Sequence, residues 1–240
     1  MPRAIVHIGT HKTGTTTFQR WAELEREGLQ RATGFRYCRP MHRERFTSIA
    51  SHFEFALASI RPERFIQPKQ MVRDWDQPEF AVRFAAHLDR ELDGEDLMIS
   101  SEDLSFIRHP DEVERLRQLL PGYDLEFVVV RRDPDGFLRS YRRWMEHQSI
   151  APSPDPESPF HLGPDAWILD TSPLSGLFPG LRWVDYDEAM AAQGSIIPAL
   201  LEGMGFDPST VPNWRVPALN SSSAMTRRIN RLRWRRRRPS

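Results

Sequence analysis

Apolar residues fall along this chain in short runs set between longer amphipathic stretches, a pattern that predicts strands carried between helices. Ala4, Ile5, Val6 and Ile8 form the first run. A weak second strand lies at Phe35 to Tyr37, and others at Asp96 to Glu102 (DLMISSE), Leu125 to Val130 and from Leu181. Helical patterns begin at Thr15 and run from Pro78 to Leu92, closed by Gly94, and from Asp135 to His147. Another starts at Pro110-Asp111 and ends in a Pro121-Gly122 turn, and the last follows Tyr186 and is expected to end at Gly205. Strand, crossover helix and strand in succession make βαβ units, so the expected fold class is α/β with a central parallel sheet flanked by helices.

The junction after the first strand carries the most chemistry. In IVHIGTHKTGTTTFQ, from Ile5 to Gln19, an apolar run breaks into a Gly/Thr/Lys loop and then into a helix start. The unpaired N–H groups of such a helix, together with its dipole, suit an anion. Gly9 and Gly14 keep the glycine spacing of the nucleotide-triphosphate loop GxxxxGK[ST], yet Thr15 occupies the lysine's place and the lysine has moved to Lys12. A Gly/Thr turn that merely joins strand to helix has the same composition. A second junction, LEFVVVRRDPDGFLRSYRRW, ends a β-branched run in Arg131-Arg132-Asp133-Pro134. Ligands of open α/β sheets sit beyond the strands' carboxyl ends, so Lys12 and Arg132 are expected to converge on one anionic molecule. The plainer expectation for Arg132 is an ion pair with Asp133 or Asp135.

The order Lys12-Thr13-Gly14-Thr15-Thr16 resembles the 5′-phosphosulfate loop, Lys-x-Gly-Thr-Thr, of sulfotransferases that use 3′-phosphoadenosine-5′-phosphosulfate (PAPS). Those enzymes also carry an arginine at a strand end and a serine eight residues on that grip the 3′-phosphate, a spacing that Arg132 and Ser140 reproduce. The resemblance implies a P-loop-like three-layer fold and PAPS as sulfuryl donor, with PAP as product and no metal. It also implies nucleotide binding by Lys12, Thr13, Gly14, Thr15, Thr16, Arg132 and Ser140. Lys12 would stabilise charge on the leaving phosphate. In cytosolic sulfotransferases the strand matching Asp96 to Glu102 ends in the histidine base. Glu102 stands there instead and is the expected base, with Lys12 the other catalytic residue. Glu102 also suits a turn cap at the Ser-Ser-Glu-Asp corner, and His11 and His52 are rival bases by position.

Tyr186-Asp187-Glu188 resembles the Tyr-Glu-Asp of sulfotransferases whose tyrosine touches adenine, although a tyrosine that simply packs fits as well. The C-terminal GxxGxxK motif is absent, and Asn220 to Ser223 takes its place. The expected reaction is sulfuryl transfer to an acceptor hydroxyl, with carbohydrate the favoured acceptor by resemblance. A nucleotide kinase or NTPase is one alternative, and a non-catalytic polyanion-binding protein another. Pro40 to Trp75 and the proline-rich Ile150 to Pro164 are expected to shape the acceptor pocket, the latter as a lid or substrate loop.

Composition adds bounds. The 240 residues, 39% hydrophobic and 28% charged, suit one α/β domain, placed at 1–226. No run approaches the roughly 20 apolar residues of a membrane span. The first strand begins too soon for a signal peptide, and a single cysteine, Cys38, suits a reducing cytoplasm. The histidines show no metal-ligand spacing, so no metal site is expected. The net charge of zero is uneven: Arg227 to Arg238 holds eight arginines and no acid, leaving 25 basic against 33 acidic residues elsewhere, a formal −8. This tail, 227–240, either contacts a polyanion or membrane surface or simply neutralises the acidic body.

Overall fold

A computed structural model describes residues 1–44, 50–156, 158–211 and 214. Five strands, β1 (Arg3–Gly9), β2 (Arg36–Tyr37), β3 (Leu97–Ser101), β4 (Asp124–Arg131) and β5 (Arg182–Asp185), form one parallel sheet in the order β2-β3-β1-β4-β5. The helices are α1 (Thr15–Leu24), α2 (Arg26–Thr33), α3 (Phe53–Ser59), α4 (Pro68–Met71), α5 (Pro78–Glu91), α6 (Pro110–Gln118), α7 (Pro134–His147), α8 (Ser172–Leu177), α9 (Tyr186–Gln193) and α10 (Ile197–Gly203).

Alternation along the strands divides the core into two layers. Ala4, Val6, Ile8, Leu97, Ile99, Phe127 and Val129 face one layer, where Phe55 of α3, Phe84 of α5, Leu116 of α6 and Phe137 of α7 pack. Ile5, Met98, Val128 and Val130 face the other, with Phe18 and Trp21 of α1, Leu29 of α2 and Leu200 of α10. The β1, β3 and β4 strands are buried on both faces, which is why they read as continuous apolar runs.

Register sets the functional edge. Ile8 pairs with Ser101 and Gly9 with Val130, so Thr10, Glu102 and Arg131–Arg132 leave the sheet side by side at its carboxyl end. The α6 crossover carries the chain from β3 over β1 to β4, making β1 the point where the strand order turns.

The helix expected to follow Tyr186-Asp187-Glu188 and end at Gly205 is two helices. Gly194 closes α9 in the left-handed conformation (φ 65°), and α10 restarts with proline in its first turn. Asn220 to Ser223 and the arginine-rich tail lie outside the described residues.

Candidate functional site

The β1–α1 loop is bound tightly to its neighbours. Thr10 Oγ1 donates to the Val130 carbonyl (2.7 Å) and Thr13 Oγ1 to the Thr10 carbonyl (2.5 Å), while the Thr13 and Thr15 hydroxyls lie 3.3 Å apart. A Cβ on Gly9 would collide with the Thr15 side chain, so the loop's first glycine allows helix and strand to approach. Gly14 has φ 76°, and a Cβ there would sit 2.9 Å from Ile196 Cγ2. Lys12 also takes a left-handed φ, 65°, a conformation uncommon for a residue with a side chain and concentrated at functional loops. The α1 helix opens with Gly14 as N-cap, no side-chain cap and no acid in its first turn. Thr17 N–H bonds back to the Gly14 carbonyl, which leaves the Thr15 and Thr16 N–H groups without a partner among the described residues. Thr15 is buried and Thr16 exposed.

Arg132 meets this loop from the end of β4. Its Nη1 donates to the Lys12 carbonyl (2.9 Å), and its guanidinium lies 4.7 Å from the centre of the Tyr186 ring. The expected ion pair with Asp133 or Asp135 does not form: Arg132 Nε lies 3.7 Å from Asp187 Oδ1. Asp133 is used otherwise, its carboxylate capping α7 at Gly136 N (2.7 Å) while its own N–H donates to Asp187 (2.8 Å). Arg132 Nε is buried with no hydrogen bond. A cleft of about 310 Å³ opens beside it, lined by Thr10, Arg131, Arg132, Phe137 and Ile168 among others.

Ser140 lies on α7, half-buried, one turn before Trp144 on the same helix face. Trp144 is the residue that sequence reasoning missed. The Lys12 ammonium lies 4.9 Å from the centre of its ring and, among the described residues, makes no hydrogen bond. The i, i+4 relation to Ser140 was the available signal.

Glu102 follows β3 and its side chain is 34% exposed. The corner is capped by its backbone, whose carbonyl accepts from Ser105 N (3.1 Å) and Ser105 Oγ (2.7 Å); the carboxylate itself caps nothing. Glu102 Oε2 lies 3.7 Å from His11 Nδ1. The His11 ring is 4.8 Å from Phe106 and 6.0 Å from Tyr141, and its Nε2 is buried without a partner. Burial lowers the His11 pKa, opposed by Glu102 and aided by Lys12. Burial likewise lowers that of Lys12, with Glu102 opposing. Burial first, and then the Glu102 charge, raises Asp103 well above the carboxylate range and pushes the Tyr141 hydroxyl up. The Glu102 charge thus bears on His11, Lys12, Asp103 and Tyr141 together.

His52 is arranged differently. Its Nε2 donates to the Cys38 carbonyl (2.8 Å) and its Nδ1 accepts from Ser100 N–H (3.0 Å), so both ring nitrogens are spent on tying β2 to β3. His7 Nδ1 contacts Ser100 Oγ (2.8 Å), where Gln19 also donates (3.2 Å). Among the described residues no group of three or more His, Cys, Asp or Glu side chains is placed to hold a metal ion, and no helix is long and apolar enough to cross a membrane.

A parallel sheet whose order turns at β1, with a Gly/Thr/Lys loop leading into α1 at that point, defines a P-loop-like α/β protein. The fold is sulfotransferase-like: the chain is similar to the crystal structure of a sulfotransferase from Alicyclobacillus acidocaldarius, with a TM-score of 0.53 and 12% identity over 98% of this chain and 92% of that one. It also matches the sulfotransferase domain from the curacin biosynthetic pathway, with a TM-score of 0.46 and 12% identity over 94% and 82% of the two chains. No protein-family model and no curated protein matches the chain.

Proposed function

We propose that this protein is a PAPS-dependent sulfotransferase that transfers a sulfuryl group to an acceptor hydroxyl, with a carbohydrate as the favoured acceptor. The observation that carries the reading is the meeting of Arg132 with the Lys12 backbone at the point where the sheet order turns. That contact brings a guanidinium, two unpaired helix N–H groups and an ammonium to one edge, a donor set suited to a nucleotide with two separate phosphate groups.

In this reading Arg132 and Ser140 hold the 3′-phosphate. The N–H groups of Thr15 and Thr16, with Thr13 and Gly14 shaping the loop, hold the 5′-phosphate. Tyr186, already stacked on Arg132, flanks the adenine side. Glu102 takes the acceptor hydroxyl's proton as that oxygen bonds to sulfur. The bond from sulfur to the bridging phosphate oxygen breaks, and Lys12 stabilises the charge left on it. The whole proton and charge balance closes on Glu102 and PAP. A cytoplasmic location belongs to the same proposal and is supported by the single, buried Cys38.

The test is transfer of labelled sulfate from PAPS to a panel of sugars, with phenols and lipids beside them. Wild-type protein is expected to label a sugar, and Glu102→Gln to lose roughly 100- to 10,000-fold in turnover with donor affinity kept. Full activity in Glu102→Gln would remove Glu102 from the role of base and pass it to His11. Labelling of no acceptor by a protein that binds PAP would remove the transferase reading.

A further inference from the structure

Lys12 and Glu102 carry opposite charges, influence one another electrostatically and follow the ends of adjacent strands, β1 and β3, yet no ion pair joins them among the described residues. In the reaction proposed above they act at opposite ends of the transferred group, Lys12 at the leaving oxygen and Glu102 at the attacking one. A direct contact would occupy the space where that group must sit and would neutralise both.

Each charge has a contact of its own. On one side, the Lys12 ammonium lies over the face of Trp144, where the ring's quadrupole attracts a cation without supplying a hydrogen bond that a donor would have to break. On the other, Glu102 is turned toward His11 Nδ1. Trp144 is only partly buried: its ring packs against the edge of the core, 5.1 Å from that of Tyr141, and α7 presents it on the same face as Ser140, so it stands where the core meets the site wall.

We propose that Trp144 is a positioning residue that keeps the Lys12 ammonium off the Glu102 carboxylate, so that acid and base stay apart until donor and acceptor enter between them. This rests on the sulfotransferase reading for its purpose, but the contact itself is testable without donor. The other titratable groups bearing on the pair are His11, Asp103 and Tyr141, all of which Glu102 influences.

Lys12 and Lys69 are the chain's only lysines, which makes the experiment direct. The full chain is labelled with 13C-lysine, its two side-chain signals are assigned with Lys69→Arg, and the Lys12 signal is followed through a pH titration. In wild-type protein the Lys12 signal is expected to be displaced by the indole ring current. In Trp144→Leu that displacement should vanish and the titration midpoint should rise by about 1 pH unit, as an ammonium gains a carboxylate partner. Adding Glu102→Gln to Trp144→Leu should reverse the rise, and Trp144→Phe should keep both wild-type features in reduced form. A Lys12 titration unchanged in Trp144→Leu, or a rise that survives Glu102→Gln, would overturn the proposal. Lys69, above the Trp75 ring at 4.4 Å, is the internal control for folding, since its signal and its titration midpoint should be the same in wild-type protein and in the Trp144 and Glu102 variants. PAP binding, measured on the same samples, reports separately on the donor reading.

Discussion

The chain's two lysines sit in matching settings and are used in opposite ways. Lys69 lies over Trp75 and spends its ammonium on three carbonyls, those of Arg61 (2.8 Å), Pro62 (2.9 Å) and Arg64 (2.5 Å). It ties the connection between α3 and α4 into a closed corner. Lys12 lies over Trp144 with no hydrogen bond among the described residues, on a backbone in the left-handed region. Burial depresses both pKa values, that of Lys69 to about 8. The difference is that Lys69 has hydrogen-bond acceptors from its own chain, whereas Lys12 has only the Trp144 face and the charge of Glu102. A desolvated cation without acceptors is costly unless something else supplies them, and a bound anion is the natural supplier.

Mutations at the two positions should separate the roles. Lys12→Ala is expected to lower turnover by about 100- to 1,000-fold, the scale of losing one group that stabilises developing charge, while PAP affinity changes far less. Steady-state kinetics beside a binding titration would check it, and an equal loss in both would make Lys12 a simple binding group. Lys69→Met should do the reverse. It leaves three carbonyls without their donor and should cost about 1 to 3 kcal/mol of stability in urea unfolding, with PAP binding unchanged.

A smaller effect concerns the buried imidazoles, which follow the same contrast between closed and open sites. Burial lowers the pKa of His7 to about 3 and also lowers those of His11 and His52. The unfolded chain therefore binds protons that the folded one refuses. Their contribution is present above the ordinary histidine value of about 6.5 and is lost as pH falls toward the folded values, by at most about 1.4 kcal/mol per pH unit for each group. Urea midpoints measured from pH 7 to pH 4 should fall, and His7→Asn should flatten part of that slope.

The sheet was legible because β1, β3 and β4 are buried on both faces and so read as unbroken apolar runs. The loop was legible because Gly9 and Gly14 are there for steric reasons that spacing reveals. What spacing does not reveal is which of several neighbours a charged side chain selects. Arg132 passes over the adjacent Asp133 and Asp135 for Asp187, which β5 and α9 bring from far along the chain. Trp144 was hidden for the same reason, since its partner Lys12 is distant in sequence and an aromatic on an amphipathic helix reads as core. The break was written in the sequence, since Gly194 stops one helix and Pro198 starts the next; apolar residues recurring on both sides of it hid the boundary.

A nucleotide site built jointly by the Lys12 loop and Arg132 is tested by calorimetric titration of the protein with PAP beside ATP and 5′-AMP, without magnesium. PAP is expected to bind in preference to both, and Arg132→Ala to weaken it by about 10- to 100-fold, the worth of charge-assisted hydrogen bonds to a phosphate. No binding of PAP, a preference for ATP, or full PAP affinity in Arg132→Ala would contradict it.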